Sequence, residues 1–240
     1  MQTYIWTFLI LFLASFTKGL SGFGAPMIAI PLLVLFLDVK TAVPIATLLG
    51  FFVSLLLIID LRRHLSLKKI SPLLIGAVPG IPLGVYFLKR LDRDLLLLVL
   101  GVILIAYVLY SLVLKPVRRN IPKKLAYLFG LIAGCFAGGL SIPGPVVIVY
   151  TSLNDWTKDE IKVSMQGFFL LSSAIVAVVH AVTGLTNTTV LGLFGVSLPG
   201  ILIGNYLGSH FYGRLEEEHY RKVILWMLGL LGGFMIYRSL

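Results

Sequence analysis

Apolar runs about as long as a bilayer is thick recur along the chain. They cover Thr3–Leu37, Ala42–Ile59, Ile70–Leu88, Leu95–Leu114, Leu125–Leu153, Val163–Val182, Val190–Phe211 and Val223–Tyr237. A helix needs about 20 apolar residues to cross hydrocarbon, and most of these blocks match that length. The runs are apolar all round, whereas barrel strands would alternate over segments of about 10 residues. Backbone groups in lipid must bond within their own segment, which leaves the α-helix. Composition agrees: 58% of residues are hydrophobic and 12% charged, against about 25% charged in soluble domains. The expected fold is all-α, a polytopic helical membrane protein of eight hydrophobic blocks.

The first block lacks a basic stretch before Tyr4-Ile5-Trp6 and a clear small-residue cleavage site, so it reads as part of the mature fold rather than a leader. The single cysteine, Cys135, lies in an apolar run, excludes internal disulfides and Cys-rich metal sites, and reads as a small core residue. The net charge of +10 does not imply nucleic acid, because the basic residues punctuate the loops. The runs DLRRHLSLKK (Asp60–Lys69) and KPVRRNIPKK (Lys115–Lys124) are what cytoplasmic loops carry.

The chain also repeats itself. GLSGFGAP (Gly19–Pro26) is answered by GLSIPGPV (Gly139–Val146), and VPGIPLG (Val78–Gly84) by LPGILIG (Leu198–Gly204), both at an offset of 120. GFF at Gly50–Phe52 returns at Gly167–Phe169, and YSL at Tyr110–Leu112 matches RSL at Arg238–Leu240. Two membrane repeats follow, 1–115 and 116–240, forming one integrated domain. If every block crosses once, the halves are parallel and 10 Lys/Arg lie inside against 9 outside, leaving aside Lys18 within a span. If Thr3–Leu37 and Leu125–Leu153 are each broken into a helix hairpin, the halves are inverted and the count becomes 14 inside against 5 outside. The inverted arrangement is expected on the positive-inside bias, although Lys89, Arg90 and Arg93 stay outside beside Asp92 and Asp94. Length points the same way, since Thr3–Leu37 as one helix would be about 52 Å long against a core of about 30 Å.

A break inside the membrane must face protein or a water-filled cavity. Half-helices starting near Pro26 and Pro145 would present free N–H groups and positive dipole ends, which favour an anion. Gly22 and Gly24 allow a ligand to touch backbone, Ser21 and Ser141 add hydroxyls, and Gly144, the counterpart of Gly24 in the second copy, is a further binding candidate. Lys18 is the ionisable residue inside the first block and is expected at or beside the site; its rival reading is a side chain snorkelling to an interface. Gln166 and Asn205, polar residues within spans, are further binding candidates. His180 reads as interfacial, and His64, His210 and His219 as loop residues. Thr47 and Ser54 are expected to bond their own helix. The glycines of GAVPGIPLG (Gly76–Gly84) and GILIG (Gly200–Gly204) read as helix-packing positions. GFGAPM (Gly22–Met27) lacks the third glycine and the strand of a dinucleotide loop. No hydrolase or metalloprotease motif occurs, all ten acidic residues lie at loops or span ends, and neither an enzyme nor a cofactor is expected.

In KGLSGFGAPMIAIPLL (Lys18–Leu33), PGIPLG (Pro79–Gly84), AGGLSIPGPVVIVY (Ala137–Tyr150) and the basic loop after the second span, the chain resembles the TauE/SafE, or sulfite exporter, family of permeases over nearly its whole length. The resemblance implies a multi-pass protein of the bacterial inner membrane that moves small anions, including sulfite, sulfonates and carboxylates. The second copy departs at Ile142 and Pro143, which stand where the first has Gly22 and Phe23, and Pro143 has no N–H to offer. The expected function is secondary transport of a small anion through a site at the two breaks. An anion channel and a non-transporting scaffold are the alternatives. The expected partners are the substrate and the lipid bilayer, with no nucleic acid; a homodimer is compatible with the sequence, which carries no feature for or against it.

Overall fold

A computed structural model describes residues 1–61, 67–113, 122–211 and 217–239. Residues 62–66 and 115–121 of the two basic runs, among them His64 and the 115/116 junction between the proposed repeats, the start of the Tyr212–Lys222 segment and Leu240 lie outside the described residues. Within them the chain is all helical, with ten helices: α1 Gln2–Ser21, α2 Ala25–Leu33, α3 Val39–Leu61, α4 Leu67–Arg90, α5 Arg93–Val113, α6 Lys123–Leu140, α7 Gly144–Ser152, α8 Lys158–Val182, α9 Thr188–Phe211 and α10 Glu217–Arg238. Six of them, α1, α3, α4, α5, α8 and α9, are long and apolar enough to cross a membrane, and α6 is a shorter apolar helix. The protein is a polytopic helical membrane protein.

The overlong blocks are each divided. Gly22 caps α1 at φ 82° and Gly24 precedes α2 at φ 89°, both left-handed conformations that glycine adopts without a Cβ clash. In the second block Ser141 turns left-handed at φ 53° after α6, and Pro143 precedes α7.

Glycine sets the main contacts between helices. A methyl group at Gly76, Gly80 or Gly84 of α4 would fall 2.1–2.2 Å from the carbonyl oxygens of Tyr127, Leu131 and Cys135 on α6. In return Gly130, Gly134 and Gly138 of α6 meet the carbonyls of Leu73, Ala77 and Ile81 at 2.1–2.4 Å on the same construction. Both helices ascend together, so they are parallel and in backbone contact, as small residues permit. The other face of α4 carries exposed Ile75, Leu83, Tyr86 and Phe87, as a lipid-facing surface should. The α1–α9 pair is built the same way: Gly200, Gly204 and Gly208 meet Phe8, Phe12 and Phe16 in order, again parallel. Helices α5 and α10 are antiparallel, with Gly101 against Gly232 and Val108 against Gly229.

Polar contacts sort the basic residues into two ends. At one end Arg93 and Arg238 both donate to the Val34 carbonyl, at 3.4 and 3.1 Å. There too Lys40 donates to the Lys89 carbonyl and Lys89 to that of Thr183, each at 3.0 Å. At the other end Lys69 pairs with Glu160 at 2.6 Å, and Glu160 closes a capping box with Thr157 at the start of α8.

Candidate functional site

The two breaks meet in the interior. A methyl at Gly144, the first residue of α7, would lie 3.7 Å from Met27 Sδ in the first turn of α2. In each helix the first-turn amides lack a partner one turn back. Ile28 is the first to find one in α2, bonding Gly24 O at 3.2 Å, and Val147 in α7, bonding Pro143 O at 3.1 Å. The N–H groups of Ala25, Met27, Gly144 and Val146 precede those bonds.

A cavity opens beside these helix starts. Gly24 and Gly144 form part of its wall, α3 contributes Thr47 and Gly50, and α8 contributes Phe169, Ser172 and Ser173. Lys18 lines it as well. The Lys18 side chain is only 2% exposed. Its ammonium donates to the Gly50 carbonyl at 3.0 Å and to the Ser54 hydroxyl at 2.6 Å, and stands 5.8 Å from the Phe169 ring centre. An ammonium has three donors, so one remains for a further acceptor. Both partners are uncharged, and among the described residues no carboxylate pairs with Lys18.

Of the residues singled out from sequence, Lys18, Gly24, Ser141 and Gly144 stand together on the cavity wall. Ser21, Gly22, Gln166 and Asn205 do not line it. Ser21 spends its hydroxyl on its own turn, donating to Thr17 O at 2.7 Å and Phe23 O at 2.8 Å. Gln166 Nε2 donates to the Gly22 carbonyl, tying the α1–α2 break to α8, while its Oε1 is buried with no partner among the described residues. Asn205 sits where α9 presses on α1; its backbone carbonyl faces Gly19, and its Oδ1 is buried and unpaired among the described residues.

Ser141 joins the second break to α3. Its hydroxyl donates to Val43 O at 3.2 Å and shares a short hydrogen bond with Thr47, whose hydroxyl also meets Val43 O at 3.0 Å. Each break is thus held by a polar side chain on a long helix of the other part of the chain: the first by Gln166 of α8, the second by Thr47 of α3.

Three residues differ from their sequence reading. Ser54 accepts from Lys18 in addition to sitting on an apolar helix. Thr47 bonds its own helix as expected and also reaches Ser141. His180, read as interfacial, is 0% exposed; its Nε2 lies 3.1 Å from Gly138 O and its Nδ1 3.5 Å from Thr47 Oγ1. A signal for Ser54 was present, since it stands one turn after Gly50 on the face that a buried lysine from a neighbouring helix would need. Ser172 and Ser173 gave none, because serines in a span usually bond their own backbone, as these two do to Phe169 O.

Comparison with known proteins places these features in context. A family model described as "Sulfite exporter TauE/SafE" matches residues 7–235. Among curated proteins, one named "Probable sulfite/organosulfonate exporter TauE" from Cupriavidus necator is 22% identical over 179 residues, covering 72% of this chain and 70% of that protein. No solved structure shows significant similarity to the chain.

Proposed function

The chain belongs to the sulfite exporter TauE/SafE family, and from that premise we propose that it is a secondary transporter of a small sulfur-containing anion, sulfite or an organosulfonate, across the bacterial inner membrane. The observation that carries the reading is Lys18: an ammonium buried to 2% exposure on a cavity wall, with no carboxylate to balance it among the described residues. An ionisable side chain within a span is costly, by about 2.5–3.5 kcal/mol at least, so a compensating anion has a defined place. The sulfonate oxygens would take the free Lys18 donor, the Ser141 hydroxyl and the amides at the two helix starts. In this assignment Lys18, Gly24, Ser141 and Gly144 contact the substrate, and Ser21, Gly22 and Gln166 hold the first break in place. Asn205 belongs to the α1–α9 seam.

The breaks would act as the tips of two re-entrant hairpins in inverted repeats, 1–115 and 116–240. Helix directions support this. With α9 parallel to α1 and α6 parallel to α4, and each long helix returning antiparallel to its predecessor, every helix of the second half runs opposite to its counterpart in the first. The pairings also exchange under the repeat, α1 with α9 corresponding to α6 with α4. Lys40, Lys89, Arg93 and Arg238 then fall at the outer end, as the loop charges require.

The test is a thermal-shift screen of purified protein in detergent against sulfite, sulfate, thiosulfate, taurine, sulfoacetate, acetate and chloride. Stabilisation follows RT ln(1 + [L]/Kd), so a ligand at about 100 times its Kd raises stability by about 2.7 kcal/mol. A sulfonate or sulfite shift above the chloride control is expected in the wild type and not in Lys18→Met. A flat response to every anion overturns the reading.

A further inference from the structure

The transport proposal leaves the buried imidazole of His180 without a role. His180 is 0% exposed and does not line the cavity. It is joined to the cavity through Thr47 and Ser141, the latter a non-glycine residue held at φ 53°. We propose that His180 is a proton-binding residue, and that the proton it takes up moves together with the anion bound beside Ser141. This rests on the transport reading above.

Nε2 faces the Gly138 carbonyl at 3.1 Å, an acceptor only, so that nitrogen carries a proton in either state of the ring. The protonation change therefore belongs to Nδ1, which faces the Thr47 hydroxyl at 3.5 Å. With neutral His180, Nδ1 accepts, and Thr47 turns its single proton toward it. The Ser141 proton is then drawn to Thr47 Oγ1 or to Val43 O, and the cavity meets a serine lone pair. With a proton added at Nδ1, the ring donates to Thr47. The Thr47 proton can then turn to Ser141, whose own proton is left to donate to Val43 O or into the cavity. In that state Thr47 no longer accepts from Ser141, and an anion beside Lys18 competes for the Ser141 proton with Val43 O alone.

Charge enforces the same coupling. The elements packed on α8 are α3, α4, α6 and α7, and among the described residues none places a carboxylate in hydrogen-bond contact with His180. The titratable and charged groups on that side are Lys18 in the cavity, Cys135 one turn before Gly138 on α6, and Lys89 of α4, which donates to Thr183 O one turn beyond His180. Lys40 of α3 lies behind Lys89, and Tyr150 is the titratable residue of α7. At the same end, Asp38 stands exposed before α3 and Arg90 exposed at the end of α4, whereas Asp60, Asp159 and Glu160 stand at the far ends of α3 and α8. A second buried cation close to Lys18 is costly unless an anion arrives with it, so proton and monovalent anion cross together and no net charge moves. An anion made inside the cell along with its proton would leave with it.

The test uses the full chain in liposomes, the potential clamped with potassium and valinomycin, and radiolabelled isethionate as probe, a sulfonate ionised throughout the range used. With the outside one pH unit more acidic, the wild type is expected to accumulate isethionate up to about tenfold, the ratio a one-unit gradient supports. An internal pH dye should report protons entering alongside. His180→Gln, which keeps a donor for Gly138 O and an acceptor for Thr47 but takes no proton, should equilibrate isethionate to a ratio near one. Accumulation by His180→Gln equal to wild type overturns the proposal. So does wild-type isethionate movement without proton movement, a measurement that needs no variant to fold. A wild type that moves no isethionate at all overturns instead the sulfonate-transport reading on which the proposal stands.

Discussion

Ser54 of α3 receives the Lys18 ammonium of α1 at 2.6 Å, and no carboxylate among the described residues shares that charge. Two substitutions separate what the lysine costs from what it binds. Lys18→Met fills the same space with an apolar chain and removes a buried charge, so the ligand-free melting temperature should hold or rise. Its anion-dependent shift should vanish. Ser54→Ala keeps the charge but removes a charge-assisted bond of about 1.5–3 kcal/mol, so the ligand-free protein should melt lower. A Lys18→Met protein that still responds to sulfonate would place the site elsewhere.

The glycine seams predict a sharp contrast within one residue type. At Gly80 an added methyl would sit 2.2 Å from the Leu131 carbonyl oxygen, a backbone atom that cannot rotate away. Gly80→Ala should push α4 from α6 and cause a large loss of folded protein in detergent, as should Gly204→Ala across the α1–α9 seam, where the distance is 2.4 Å. At Gly195, in the same helix as Gly204, nothing lies within 4 Å of the added methyl. Gly195→Ala should be neutral or stabilise by up to about 1 kcal/mol through helix propensity. Size-exclusion profiles and melting curves of the three variants settle the contrast.

These seams were legible as spacing, because glycines four apart on a helix mark a close-packed face whatever the partner. The two breaks were equally legible, since proline and glycine inside an overlong apolar run interrupt a helix for local reasons. Facing direction was not. Gln166 and Asn205 drew notice for being polar in a span, but one sequence does not say whether a side chain points into a cavity, at a backbone carbonyl or into a helix seam. Gln166 meets the Gly22 carbonyl and Asn205 lies on the α9 face that presses on α1. His180 was misread for the same reason: its place near the end of a hydrophobic block suggested an interface, yet α6 covers it through Gly138.

The left-handed turn at Ser141 yields a prediction about strain. A residue with a Cβ at φ 53° costs roughly 1–2 kcal/mol relative to glycine in that conformation, and the serine hydroxyl offsets it through Thr47 and Val43 O. Ser141→Ala keeps the strain and loses the bonds; Ser141→Gly loses both. The glycine variant should therefore be the more stable of the two by about 1 kcal/mol in chemical or thermal unfolding. Both should bind sulfonate more weakly than wild type, by similar factors, since both lack the hydroxyl. If only the alanine variant loses binding, the backbone conformation and not the hydroxyl matters to the ligand.

Gln166 distinguishes a residue that holds the first break from one that touches substrate. Its Nε2 reaches the Gly22 carbonyl from α8, and the cavity wall does not include it. Gln166→Leu leaves that carbonyl buried without a donor, a cost of about 1–3 kcal/mol concentrated at the α1–α2 turn. Hydrogen exchange over 20–25 should rise as the turn loosens, while exchange at the α6–α7 turn, held by Thr47, stays as in wild type. Affinity for sulfonate, measured by thermal shift, should change by less than about threefold, or under 1 kcal/mol. A loss of binding without any change in exchange would make Gln166 a ligand to the substrate, reached in a conformation other than this one.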